Sequence, residues 1–213
     1  MQMKTIVQSI VPLLSLLLAA CSTPTFKDTP SGEFGDQGLY PVKSTGFNEV
    51  HARRDAALED YRTVNIESLN LEDVRFTTTT MPGTVRRDWT ITPERDQVMT
   101  EVWAGSMDRA FSEYERAEEG EQVLRISAAL TQIWPRSRSM SGSPAGVPGA
   151  VSGDLVNVSI EMRLYDQASG DLLAVIRDSR DAPMIQWTQA NGRNMVSLFN
   201  SWAGLLHARV AGQ

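Results

Sequence analysis

Residues 155–178, LVNVSIEMRLYDQASGDLLAVIRD, alternate apolar and polar side chains on either side of a short polar turn. A two-residue period is typical of a strand with one buried face, and the apolar positions of the first strand are Val156, Val158, Ile160, Met162 and Leu164. The stretch from Asp166 to Gly170 has the composition of a hairpin turn. The pattern predicts a β-hairpin whose second strand, Leu172 to Asp178, runs antiparallel to the first.

Two stretches before the hairpin have the same period. Val64 and Ile66 alternate with polar residues where the predicted domain begins. Residues 123–134 have one apolar face, formed by Leu124, Ile126, Ala128 and Leu130. These stretches predict two further strands.

Two helices with one apolar face each are predicted to accompany the strands. The first begins at Pro93, because Thr92 can cap it and proline fits the first helical position. Gly120 is expected to end this helix after residues 118 and 119. The last helix is capped by Asn191, and its apolar residues recur at three- and four-residue steps: Met195, Phe199, Trp202, Leu206 and Val210.

The order of these elements predicts an α+β fold, with an antiparallel or mixed sheet of about four strands and two helices packed on one face. Residues 61–213 would form this single domain. Residues 135–154 are predicted to be a flexible loop, because they carry almost no bulky side chains. The opposite sheet face would carry Arg125, Glu161 and Arg163, and it can be solvated or dock a partner.

The N-terminus has the layout of a secretory signal: Lys4, an apolar run from Ile10 to Ala20, and small residues before a cysteine. The run is shorter than the roughly 20 apolar residues of a membrane-spanning helix. Residues 18–21, Leu-Ala-Ala-Cys, look like a bacterial lipobox. They predict removal of residues 1–20 and a lipid on the thiol of Cys21. The alternative is an ordinary cleaved signal with a chance cysteine at its end.

Residues 21–60 are predicted to be a flexible tether, because they are rich in turn residues and poor in apolar anchors. Ser22 follows the cysteine, and resemblance to enterobacterial lipoproteins implies sorting to the outer membrane when that residue is not aspartate. Cys21 is the only cysteine, so no disulfide can form within one chain.

The predicted mature chain is acidic. The full chain has 20 basic and 26 acidic residues, and the signal carries only Lys4, which leaves a formal charge of −7 for residues 21–213. No basic stripe could follow a phosphate backbone, so nucleic acid is not expected as a partner.

The sequence carries no catalytic or metal-binding signature. His51 and His207 are the only histidines, and no spacing of His, Cys and carboxylates suits zinc. No G-x-S-x-G elbow, phosphate loop or dinucleotide fingerprint is present. Ser141 and Ser143 lie in the predicted loop, where a nucleophile would lack rigid support. No cofactor or metal is expected, and the acids around the hairpin are interpreted as turn hydrogen bonders: Asp166, Asp171 and Asp178.

Four of the five tryptophans could contact a glycan or a partner protein. Trp103 and Trp202 lie on apolar helix faces and are predicted to be core residues. Trp134 and Trp187 lie near strand or loop ends. They complete a candidate partner surface with Arg125, Glu161 and Arg163.

Several of these segments together resemble a family of Gram-negative lipoproteins known as domain of unknown function 3313. The matching stretches are residues 46–47, 61–66, 124–131, 160–173 and 202–203. The strand and hairpin stretches are the more specific part. The resemblance implies a lipoprotein with one folded domain, and it brings no catalytic residues with it.

We therefore expect a non-enzymatic lipoprotein, held in the outer membrane by an acylated Cys21 and facing the periplasm. It would bind an envelope protein or a wall component through its sheet face or its long loop. Two other functions stay open. A hydrolase of wall or lipid substrates would need converging carboxylates or an activated serine in a pocket, and a carrier of lipids or small molecules would need an apolar cavity between helices and sheet.

Overall fold

The computed structural model describes residues 24–76, 91–136, 155–183 and 193–213. The elements in these ranges are, in chain order, β1 (Thr25–Phe26), β2 (Tyr40–Lys43), β3 (Glu49–Ala52), β4 (Thr63–Ile66), β5 (Arg75–Phe76), α1 (Pro93–Ala110), β6 (Glu115–Arg116), β7 (Val123–Arg136), β8 (Leu155–Asp166), β9 (Leu172–Pro183) and α2 (Arg193–Val210). The predicted signal, the predicted acylation site Cys21, Trp187 and Asn191 lie outside the described residues, as do residues 137–154 of the predicted loop.

The hairpin of β8 and β9 is confirmed. The two strands pair antiparallel, and every second residue of β8 from Val156 to Leu164 is buried. β9 continues past the predicted end at Asp178 to Pro183. The sequence pattern does not predict this extension, because Asp178 occupies an inward-facing position where the alternation requires an apolar residue. Asp178 is nevertheless buried, and hydrogen bonding satisfies its carboxylate.

The sheet is mixed, and in the described residues it has nine strands rather than about four. Its order is β1-β2-β3-β9-β8-β7-β4-β6, and β5 also pairs with β7. β4 and β5 run parallel to β7, and β4 runs parallel to β6, whereas the other pairs are antiparallel. The α+β class is confirmed. The strand number was underestimated because the five strands that were not predicted, β1, β2, β3, β5 and β6, have only two to four residues each, too few to show a clear period.

The described part of the predicted tether is folded, so that prediction is wrong for residues 24–60. This segment supplies β1, β2 and β3, and β3 pairs with β9. Phe34 and Leu39 are buried against Val175 on the sheet face opposite the helices. A few well-placed apolar side chains therefore fix a segment whose composition is that of a coil.

The two helices pack against each other and share one hydrophobic cluster with the inward side chains of the sheet. The Thr92 hydroxyl accepts a hydrogen bond from the amide of Arg95 at 3.4 Å, which confirms the predicted cap of α1. α1 ends at Ala110 rather than near residue 119. The chain turns there because Phe111 is buried and residues 115–116 join the sheet as β6.

The core predictions for the helices are confirmed. Trp103 and Phe199 meet edge to face, with ring centroids 5.7 Å apart. Trp202 is fully buried, as are the other predicted positions of α2 to within 3% exposure: Met195, Phe199, Leu206 and Val210. This cluster places both helices over one face of the sheet and leaves the opposite face, called the outer face below, to polar side chains.

Candidate functional site

The outer face is built by alternate residues of the three long strands. Strand register places Glu161 of β8 between Ala129 of β7 and Arg177 of β9, and Arg177 is in turn opposite Glu49 of β3. Because successive side chains of a strand point to opposite faces, these residues share the face that carries no helix. Arg163 is exposed on the same face, two residues from Glu161.

An ion-pair network centred on Arg177 organises this face. Its guanidinium donates two hydrogen bonds of 2.7 Å to the carboxylate of Glu33 and one of 2.7 Å to Glu161. Arg163 donates to the other oxygen of Glu161 at 2.7 Å. The carboxylate of Glu49 lies 3.6 Å from Arg177. One arginine therefore joins three strands and the loop between β1 and β2.

The network shifts the protonation equilibria of its members. The hydrogen bonds that Arg177 donates to Glu33 are the largest cause that raises the pKa of Arg177; burial opposes the rise, and the hydrogen bond donated to Glu161 adds to it. The hydrogen bond from Arg177 is the main cause that lowers the pKa of Glu33. Burial by itself would raise the pKa of Glu161, but the hydrogen bonds from Arg177 and Arg163 outweigh it and lower that pKa. Arg177, Glu33 and Glu161 are therefore charged at neutral pH.

The loop between β1 and β2 closes one end of the outer face. Phe34 lies over the Arg177 guanidinium, 5.1 Å from the ring centroid, and meets the ring of His51 edge to face at 5.3 Å. The Ser31 hydroxyl accepts hydrogen bonds from the amides of Glu33 and Phe34. We call residues 27–39 the latch, because Glu33 and Phe34 hold them on the face. Sequence reasoning missed the latch, since neither residue stands in a periodic pattern.

A shallow depression of about 400 Å³ lies beside this network. Its polar lining includes Arg75, Ser159, Glu161, Arg177 and Ser179. The two serine hydroxyls bond to each other at 3.3 Å, and Ser179 also donates to Asn157 at 2.7 Å. These hydroxyls take part in a cross-strand hydrogen-bond ladder, which is an arrangement for holding strands together.

The predicted partner surface is brought together only in part. Glu161 and Arg163 are joined in the network, whereas Arg125 lies farther along, opposite Tyr165. Arg125 pairs with Glu67 at 3.3 Å and its guanidinium stacks on the Tyr165 ring at 4.2 Å, so these contacts lie apart from the network around Arg177. Trp134 is 37% exposed at the far end of β7.

The acids around the hairpin act as hydrogen-bond acceptors within the fold. Asp166 accepts from the amide and hydroxyl of Ser169, both at 2.8 Å, and from the Tyr61 hydroxyl at 2.8 Å. Burial, with the neighbouring carboxylate, raises the pKa of Tyr61 to about 12. Asp178 is buried on the helix side, where the Trp202 indole donates to it at 2.7 Å.

Each of the two histidines contacts a glutamate. His51 Nε2 lies 2.6 Å from Glu49, and His207 Nε2 lies 2.8 Å from Glu113. Within the described ranges, no three His, Cys, Asp or Glu side chains come together as metal ligands. Ser141 and Ser143 lie outside those ranges. The described outer face offers charged groups and hydrogen-bonding groups.

A second concave feature is apolar and lies at the β1–β2 edge on the helix side of the sheet. This groove of about 380 Å³ is lined by side chains of β1, β2, β3, β8, β9 and α2, including Phe26, Val42, Val50, Leu164, Ile176 and Arg209. Pro24, the first described residue, also lines it. The described part of the chain therefore begins at this groove.

Comparisons with known proteins give only weak structural similarity. A search against known protein families found no match, so the resemblance to domain of unknown function 3313 is not confirmed, and no curated protein matches the chain. Solved structures with a similar arrangement include a PelC dodecamer from Paraburkholderia phytofirmans, with 12% identity, 68% of this chain and 88% of that chain covered, and a TM-score of 0.38.

Two further structures have comparable similarity. One is the hypothetical protein CT253 from Chlamydia trachomatis, with 7% identity, 72% and 99% of the two chains covered, and a TM-score of 0.44. The other is a minor lipoprotein from Acinetobacter baumannii, with 9% identity, 71% and 91% covered, and a TM-score of 0.35. We draw no functional conclusion from these similarities. Neither helix in the described part of the chain has the length and apolar character of a membrane crossing.

Proposed function

We propose that this chain is a non-enzymatic lipoprotein of the bacterial envelope, anchored in the outer membrane through an acylated Cys21 and facing the periplasm. Its outer face would dock another envelope protein or a wall component. The lipobox at residues 18–21 supports the anchor. The observation that carries the docking role is the outer face, whose charges are fixed by the network around Arg177.

A fixed polar surface favours binding over catalysis. Ion pairs that are formed before a partner arrives reduce the ordering cost of association. Arg163 and Trp134 are exposed at this surface, and arginine and tryptophan are the residue types that most often carry interface energy. The hydroxyls of Ser159 and Ser179 bond to each other, and Ser179 donates to an asparagine rather than to a base.

Site-specific photo-crosslinking in a Gram-negative host tests the docking role. A photoreactive phenylalanine analogue is placed at Arg163 or at Trp134, and at Glu101 as a control, which is exposed on α1. We expect discrete crosslinked species from the two outer-face positions and none from the control. The absence of a crosslink at both outer-face positions would contradict the proposal, as would equal crosslinking at all three.

A further inference from the structure

The described part of the chain begins so close to Cys21 that a lipid on that residue would bring an edge of the sheet near the membrane. Pro24 is the third residue after Cys21, and three residues span at most about 11 Å. Pro24 and Phe26 already line the apolar groove. If Cys21 carries the lipid of the proposed function, on which this inference rests, the β1–β2 edge lies within reach of the lipid headgroups.

We propose that this edge is a bilayer-docking surface for anionic phospholipid, so that the domain lies on the membrane in one orientation instead of standing off on a tether. The docking edge consists of Phe26, Lys27, Lys43 and Arg54. The rest of the sheet extends away from the bilayer, and the β6 edge is the most distant.

The apolar part of the docking edge is suited to a membrane interface. Phe26 is 41% exposed on a two-residue strand, and phenylalanine is among the residues that interfacial segments bury at the boundary of headgroups and acyl chains. The Arg54 guanidinium lies 4.5 Å from the ring centroid of Tyr40 and 5.7 Å from that of Phe26. The groove beside these residues adds apolar surface at the same edge.

The charge of the docking edge is opposite to that of the whole chain. Although residues 21–213 carry a formal charge of −7, their only two lysines are Lys27 and Lys43, and β1 pairs with β2 so that both lie at this edge. Both side chains are exposed, and neither has an ion-pair partner among the described residues. Arg54 adds a third cation, with Asp28 3.8 Å away as its acid.

This charge separation gives a defined energetic contribution. Each lysine or arginine near an anionic membrane surface strengthens membrane association about fivefold, and long basic side chains can extend to the headgroups. Such a contribution is too small to hold the protein on a membrane without the lipid. It is large enough to choose one orientation once the anchor has brought the domain to the surface.

The sheet order sets the scale of the test. β1 and β6 are at opposite ends of the path β1-β2-β3-β9-β8-β7-β4-β6, seven strand intervals apart, which corresponds to about 33 Å at the usual strand spacing. A label on β1 should therefore lie at the headgroups while a label on β6 lies in bulk water.

Spin labels on the lipidated full-length product measure this difference. Because Cys21 is the only cysteine and its sulfur is blocked by the lipid, Thr25→Cys or Glu115→Cys provides the only free thiol. Each labelled protein is reconstituted in phosphatidylcholine vesicles with or without phosphatidylglycerol, and its collisions with oxygen and with a water-soluble nickel chelate are compared. We expect an oxygen-to-nickel ratio several-fold higher at residue 25 than at residue 115, and a larger contrast with the anionic lipid.

Charge reversal identifies the cause of the orientation. Lys27→Glu with Lys43→Glu should abolish the contrast between the two labels while the protein stays on the vesicles. The control, Arg62→Glu with Arg116→Glu, makes the same change of charge at exposed residues near the β4–β6 edge and should leave the contrast intact.

The outcomes separate this inference from the proposed function. The mass of the N-terminal peptide is measured first, and the absence of a lipid on Cys21 would overturn the anchor and with it the inference. A lipid on Cys21 with equal ratios at both labels would overturn the docking edge alone. The docking edge would also be overturned if the difference in oxygen-to-nickel ratio between residues 25 and 115 were independent of anionic lipid and persisted in the Lys27→Glu, Lys43→Glu variant.

Discussion

Replacing Phe34 by alanine tests whether the N-terminal segment is part of the fold. Phe34 is 5% exposed, packs with Leu39 and Val175, and lies over the Arg177 guanidinium at 5.1 Å. The substitution removes a buried aromatic ring from a small cluster that stands apart from the main core. It leaves Leu39 as the apolar contact of the latch with Val175, beside the ion pair of Glu33 with Arg177.

The expected magnitude follows from burial. Truncation of a buried phenylalanine typically costs 3–5 kcal/mol, and the lower end, about 3 kcal/mol, applies because a surface segment can relax around the cavity. For a domain of this size, that loss lowers the melting temperature by about 6–12 °C. Phe26→Ala is the matched control. Its ring is 41% exposed, so the loss should stay below about 1 kcal/mol.

Urea unfolding of the soluble mature chain, made with Cys21→Ala, gives the free energies. Hydrogen exchange reports on the segment itself, because the amides of Lys27 and Ser31 donate to the carbonyls of Pro41 and Leu39 at 2.8 and 2.9 Å. These amides should be protected in the parent and exposed in Phe34→Ala. Rapid exchange in the parent, together with a loss below about 0.5 kcal/mol in the variant, would refute the packing of the latch.

Three other substitutions test the core, the network and a turn. Asp178→Asn should lower the free energy of unfolding in urea by about 3 kcal/mol, because the buried carboxylate that accepts a hydrogen bond from the Trp202 indole at 2.7 Å loses its charge. A loss below about 1 kcal/mol would contradict the structural role of Asp178. The pKa of Glu161 is lower in the folded chain, so its stabilising contribution is present above its unfolded pKa of about 4.3 and is lost as the pH falls through the folded value. The difference in unfolding free energy between parent and Glu161→Gln should therefore be largest at neutral pH and shrink in acid, and a difference independent of pH would be inconsistent with the network. Gly46→Ala should lower the melting temperature, since residue 46 has φ 82° and an added methyl group would lie 3.1 Å from a leucine of α2. Gly32→Ala, with open space around the residue, should be neutral or slightly stabilising. Equal changes of the melting temperature in the two variants would contradict the described turn.

The sequence is informative where long elements have one buried face. The alternation from Val156 to Leu164 predicts β8 because each apolar side chain is buried against the helices. The stripe from Met195 to Val210 predicts α2 for the same reason. In these elements the local period and the tertiary burial agree, and the polar positions of β8 correctly indicate the outer face.

The sequence is uninformative where pairing is distant and short. β3 has four residues and pairs with β9, which lies more than 120 residues later in the chain. No local sequence pattern therefore predicts the pairing of β3 with β9. Arg177 could have been assigned to the outer face by counting from Val175, but Glu33 stands in a turn-rich segment with no period. Its role depends on a bidentate contact across 144 positions of sequence.

The chemical state of Cys21 tests the central claim most directly. The mature protein, produced in a Gram-negative host, is separated into membrane and soluble fractions, and its N-terminal peptide is analysed by mass spectrometry. The account predicts a chain that begins at Cys21, carries fatty acids on that residue, and sediments with outer membranes, whereas Cys21→Ala is soluble and Ser22→Ala remains acylated. A membrane-free parent chain with an unmodified thiol at Cys21 would contradict the account.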